Sequence, residues 1–333
     1  TAYTYGDYTL AAGVSVENLY LNVASGKTLT GNELANNLRG KTGNDTLNGQ
    51  GGNDTLDGGL GTDVLSGGTG DDSYIIDNAG DSVVELAAEG NDIVYSSVTW
   101  ALGANLERLS LTGTSAINGT GNDLANTLYS DANSAANTLT GGLGDDTYYV
   151  GANDGVVELT GEGNDIVYSS VSWSLGANLE RLSLTGTAAI NGTGNGLANT
   201  LYGDANSAAN TLTGGLGDDT YYVGANDVVL ESAGEGTDTV FSSVSWMLGA
   251  NVEQLSLAGT AAISGTGNGL ANTIWGNNNS AANTLAGGFG DDIYGVGTND
   301  IIVELAGQGV DTAISYGDYT LSAGASVENL YLN

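Results

Sequence analysis

The sequence predicts an all-β fold, a right-handed parallel β-helix or β-roll solenoid of roughly eighteen coils with little or no helix. Three observations predict it. Residues 40–75 divide without remainder into four nonapeptides, a unit of 73 residues then recurs almost literally, and 55 glycines are combined with no proline. The density of Gly, Asn, Ser and Thr argues against helices throughout.

The nonapeptides read GKTGNDTLN, GQGGNDTLD, GGLGTDVLS and GGTGDDSYI, each of the form G-x-x-G-x-D-x-U-x with U a large apolar residue. Glycines at the first and fourth positions are expected to take φ > 0 in a tight turn whose carbonyls face one point. The last three residues form a short strand whose U residue, here Leu47, Leu56, Leu65 or Tyr74, points inward. An acidic residue fills the sixth position in all four: Asp45, Asp54, Asp63 and Asp72. Carboxylates and carbonyls gathered in one turn suit a hard cation, and Ca²⁺ takes roughly six to eight oxygens. Two nonapeptides make one coil, so alternate turns stack on the same side. Asp45 is expected to share an ion with Asp63, and Asp54 with Asp72.

The remaining elements follow from the longer repeat. Residues 91–163, 164–236 and 237–309 are three copies of the 73-residue unit. They follow a longer unit, residues 1–90, and precede the start of a further one, residues 310–333. Four coils fit one unit, so a single solenoid accommodates both periods. Each copy carries one well-formed nonapeptide, GGLGDDTYY twice and GGFGDDIYG once, with Asp146, Asp219 and Asp292 at the sixth position. One coil later, TGEGNDIVY, AGEGTDTVF and AGQGVDTAI offer Asp165, Asp238 and Asp311 as partner carboxylates, and AAEGNDIVY offers Asp92 to Asp72. Asn126, Asn199 and Asn272 occupy the equivalent place in the preceding coils. They read either as weaker neutral ligands or as amide ladders without metal.

Strict alternation in IVYSSVTWAL puts Val94, Val98, Trp100 and Leu102 on one face, and Tyr95 on the other. Trp100, Trp173 and Trp246 are expected in the core; Tyr95, Tyr168 and Phe241 are expected outside. Residues 1–22 and 312–333 agree at 18 of 22 positions, which implies a higher-order repeat of 311 residues.

The glycine- and aspartate-rich nonapeptides resemble the RTX, or haemolysin-type calcium-binding, repeats of secreted bacterial proteins, most closely over residues 40–75. The resemblance implies a calcium-loaded β-roll, passage through a type I exporter, and folding outside the cell or at its surface.

Composition narrows the function classes. With 39 acidic and 5 basic residues the formal charge is −34, so folding is expected to require neutralising cations. The five basic residues form no patch for nucleic acid. No apolar run approaches the roughly 20 residues that span a bilayer, so no membrane insertion is expected. No signal peptide is evident, and the absence of Cys removes disulfides. With no His or Cys, and no base beside a Ser or Thr, no catalytic residue and no enzyme activity are expected. The expected function is a calcium-stabilised extracellular scaffold: a surface layer, a self-assembling filament or the stalk of an adhesin. Its expected partners are several calcium ions and copies of the same repeats, stacked end to end or within a longer chain from which this one is an excerpt. The alternatives are the secretion and folding domain of an exoenzyme or toxin and, less favoured for want of a regular outward Thr/Asn row, an ice-binding solenoid.

Overall fold

A computed structural model describes residues 1–333, and every strand pairing in it is parallel. The chain forms an all-β parallel solenoid without helix. It divides into two compact units, Thr1–Ile166 and Val167–Asn333.

In the first unit each coil contributes a strand of three or four residues to one long sheet, with the same apolar column running through it. Leu19, Leu38, Leu56, Tyr74, Val94, Leu109, Leu128 and Tyr148 stand in direct register, one per coil, all fully buried. The T-L-x signature explains this. A single apolar residue between two polar neighbours points inward once per strand, and neighbouring coils about 4.8 Å apart stack these residues into a dry file. Burying each Leu contributes about 1.5–3 kcal/mol. A second, shorter sheet carries Leu29, Leu47, Leu65 and Val83 in register on the opposite side of the coil.

The second unit repeats the plan. Its column is Leu182, Leu201, Tyr221, Val240, Leu255, Ile274, Tyr294 and Ala313. Opposite it lie two sheets of four strands, one from Trp173–Ser174 to Val228–Val229 and one from Trp246–Met247 to Ile301–Ile302.

Two expectations need correction. Trp100, Trp173 and Trp246 are only half-buried. Each stands on the edge strand of its four-stranded sheet, beside an inward glycine (Gly119, Gly192 or Gly265), so one flank of the indole has no neighbouring strand in that sheet. The glycines of the nonapeptides also divide their labour. The fourth-position residues Gly43, Gly52 and Gly70 have φ of 113°, 87° and 131°, in the region that favours glycine. The first-position residues do not. Gly40 is glycine because a Cβ there would lie 2.6 Å from Asp45 Oδ2 and collide with the Gly58 carbonyl one coil on.

Candidate metal centre

The turn that the fourth glycine makes possible tucks the sixth-position aspartate under the next coil. The backbone N–H of one aspartate then donates to Oδ1 of the aspartate stacked beyond it. Asp45 donates to Asp63 at 2.6 Å, Asp54 to Asp72 at 2.6 Å, Asp72 to Asp92 at 2.7 Å and Asp146 to Asp165 at 2.8 Å. In the second unit Asp219 donates to Asp238 at 2.8 Å and Asp292 to Asp311 at 2.9 Å. The eleven sequence-predicted carboxylates therefore lie in four stacked pairs and one run of three, Asp54, Asp72 and Asp92, and each is about 1% exposed or less.

One oxygen of each carboxylate is thus spoken for by backbone, and Asp45 Oδ2 also accepts from Lys41 N–H at 3.3 Å. In nine of the eleven the other oxygen has no donor. Oδ2 of Asp54, Asp63, Asp72, Asp92 and Asp146 is buried without a hydrogen-bond partner, as is Oδ2 of Asp219, Asp238, Asp292 and Asp311. A buried carboxylate oxygen with no donor is costly unless a cation or a proton meets it. Burial, with further contributions from neighbouring carboxylates, pushes the Asp54, Asp72, Asp146 and Asp219 carboxyls up to about 7. The same causes put Asp63, Asp92, Asp238 and Asp292 at about 6.

The asparagines of the preceding coils behave differently. Asn126 accepts from Asn122 N–H at 2.7 Å and donates to the Leu106 carbonyl at 3.0 Å, and Asn199 and Asn272 repeat this pattern. Their amides link coils directly through backbone groups, as in the ladder reading.

Glutamates join the aspartates where sequence reasoning placed none. Single carboxylate oxygens of Asp72, Glu85 and Asp92 lie within 4.8 Å of one another, and so do those of Asp219, Glu231 and Asp238, and of Asp292, Glu304 and Asp311. Both oxygens of Glu85 are buried without a hydrogen-bond partner, and burial raises its carboxyl to about 8. The buried Tyr221 and Tyr294 hydroxyls donate to Glu231 and Glu304, and Tyr148 does the same to Glu158. The signal was coil length. Asp72 and Asp92 are 20 residues apart and Asp219 and Asp238 are 19 apart, against 18 for Asp45 and Asp63. The extra residues carry the glutamate into the turn. Asp81 was missed as well; its Oδ1 accepts from Asp63 N–H at 2.9 Å and extends that ladder by one coil.

The donor set fits calcium: buried, unpaired, hard oxygen atoms, several to a site, with no nitrogen or sulfur ligand among them. Asp54, Asp72, Glu85 and Asp92 would hold ions on one edge of the first unit. Asp219, Glu231 and Asp238, and Asp292, Glu304 and Asp311, would do so in the second. A bound divalent cation supplies charge neutralisation at these points and holds the carboxylates ionised.

Parallel coils whose stacked turns bury carboxylate ladders define a cation-binding β-solenoid. The family model of the RTX calcium-binding nonapeptide repeat matches four segments, residues 30–65, 58–81, 119–157 and 193–230, which supports a repeat protein of the RTX type. Among curated proteins none matches the sequence. The third 73-residue copy lies outside the matched segments, yet its Asp292 stacks on Asp311 of the following unit as the counterparts do.

Proposed function

We propose that the chain is a calcium-stabilised extracellular scaffold that does no chemistry of its own. The observation that carries this reading is where the carboxylates are. They lie inside the turns that hold coil to coil, each with one oxygen bonded to the backbone of the adjacent coil, so cation binding stiffens the fold itself.

Several such sites and a formal charge of −34 make the folded state dependent on dissolved calcium. Extracellular calcium modules work at about 10⁻⁴–10⁻³ M, which suits a protein that is exported unfolded and folds outside the cell. The near-literal 73-residue units supply length in identical increments, as in a surface layer, a filament or an adhesin stalk. Further copies of the same repeats are its natural partners.

The test is single-molecule stretching of the full chain in calcium and in chelator. Expected is a sawtooth of coil-by-coil rupture in calcium that collapses to an entropic spring in chelator. Equal rupture forces in the two conditions would reject the scaffold reading.

A further inference from the structure

The outward face of the second unit carries a ladder of aromatic rings interrupted by a serine in each copy of the repeat, and the last copy leaves that interruption open. In direct register along that face stand Tyr202, Tyr222, Phe241, Ser256, Trp275 and Gly295. Tyr202 stacks on Tyr222 at 4.8 Å between ring centroids, and Tyr222 on Phe241 at 5.1 Å. Ser256 then leaves a gap of one rung between the rings of Phe241 and Trp275. Two rungs span about 9–10 Å, enough to admit one flat or chair-shaped ring between two aromatic faces.

The preceding copy has the same gap at Ser183, but there Arg181 covers it, its guanidinium 5.8 Å from the Tyr202 ring centroid. In the last copy that arginine is Gln254. Five more departures fall around the same opening. Trp275 replaces Tyr202, Gly295 replaces Tyr222, Asn277 and Asn278 replace Asp204 and Ala205, and Tyr316 replaces Ser243. The glycine is required because a Cβ at position 295 would collide with the six-membered ring of the Trp275 indole. The result is an open cleft of about 540 Å³ with Ser256 at its floor, Phe241 and Trp275 on its sides and Tyr316 at its rim.

The chemistry of these changes is consistent. A cation and an anion are both replaced by neutral amides, and aromatic area is gained. Oδ1 of Asn277, at the cleft, is buried without a hydrogen-bond partner, while Asn278 is oriented by a 2.9 Å bond from its Nδ2 to Ser256 Oγ. Aromatic faces pack against the C–H faces of a pyranose, and amides and hydroxyls exchange hydrogen bonds with its vicinal hydroxyls. Anionic ligands meet a chain of charge −34 and find no cation among the cleft residues.

We propose that the cleft between Phe241 and Trp275 binds a neutral sugar residue of a glycan. The site is distinct from the calcium ladders and does not rest on the scaffold reading.

Affinity electrophoresis of the calcium-loaded full chain, through gels containing mannan, galactomannan, xyloglucan or polygalacturonate, tests it. Expected is retardation by at least one of the three neutral glycans and none by polygalacturonate. Gln254→Arg, and separately the double variant Trp275→Tyr with Gly295→Tyr, restore the residues of the preceding copy and so keep a packing the fold already accommodates. Each is expected to weaken retardation at least about tenfold, as is Asn277→Ala. No retardation by any neutral glycan overturns the proposal. So does retardation by polygalacturonate alone, or retardation that both restored variants retain in full.

Discussion

The backbone N–H of Asp54 donates to Oδ1 of Asp72 at 2.6 Å, while Oδ2 of the same Asp72 is buried with no donor at all. One side chain thus does two jobs, fixing the register between coils and presenting a bare charge to a cation. Asp72→Asn separates them. The amide oxygen still accepts from Asp54, but the charge is gone. The calcium midpoint of folding, followed by far-ultraviolet circular dichroism, is expected to rise about tenfold while the strand signal at saturating calcium is unchanged. An unchanged midpoint would remove Asp72 from the ligand set.

Glu85 has no partner for either carboxylate oxygen. Glu85→Gln removes one buried charge from a group of three, so in chelator the variant is expected to be more structured than the parent, and in calcium to bind more weakly. Opposite signs in the two conditions distinguish a ligand from a packing residue. Isothermal titration of calcium, with circular dichroism in chelator, reads both.

Aspartates were legible because the nonapeptide spacing repeats them at a fixed place. Glu85, Glu231 and Glu304 were not, because they sit outside the motif, on coils that a residue or two of insertion has lengthened. The inward column was legible for the same reason as the aspartates. Half-burial of Trp100 was not, because alternation assigns a face but does not show which strand ends a sheet. The cleft at Trp275 escaped for a different reason: its residues carry meaning only as departures from the two preceding copies, brought side by side by coil stacking.

Without calcium the buried carboxyls fix the sign of the pH dependence. Asp54, Asp72 and Asp219 are raised from an ordinary 3.8 to about 7, and Glu85 and Glu231 from 4.5 to about 8, with burial the largest cause. Folded chain therefore binds more protons than unfolded chain between these limits. Stability from these groups is fully present below about pH 4 and is lost as pH rises through about 7–8. In chelator, strand content is expected to be higher at about pH 5 than at about pH 8. In calcium the dependence inverts, since protons compete with the ion, and the calcium midpoint rises as pH falls. A calcium midpoint independent of pH would contradict carboxylate ligation.

Tyr294 donates its hydroxyl to Glu304 and accepts from Gly287 N–H at 2.6 Å. Tyr294→Phe removes both bonds at a fully buried position and takes from Glu304 its hydroxyl donor, a cost of about 1–3 kcal/mol. Chemical denaturation in saturating calcium is expected to show that loss.

Two glycines of different origin give an ordering that is independent of any ligand model. A Cβ on Gly119 would meet Leu109 Cδ2 at 2.9 Å and Leu139 Cδ2 at 3.0 Å, both the far ends of flexible side chains in the core. These shift at an overpacking cost of about 1–3 kcal/mol. A Cβ on Gly49 would instead collide with Asp54 Oδ2 and lie 2.5 Å from the Gly67 carbonyl, which is backbone of the next coil. Neither can yield without opening the turn that holds Asp54 in place. Gly119→Ala is therefore expected to lower stability while leaving the calcium midpoint within about twofold of the parent, and Gly49→Ala to shift that midpoint by tenfold or more. Calcium titration of the two variants side by side checks the order. Equal shifts would mean that the first glycine of the nonapeptide serves packing in general and not the carboxylate beneath it.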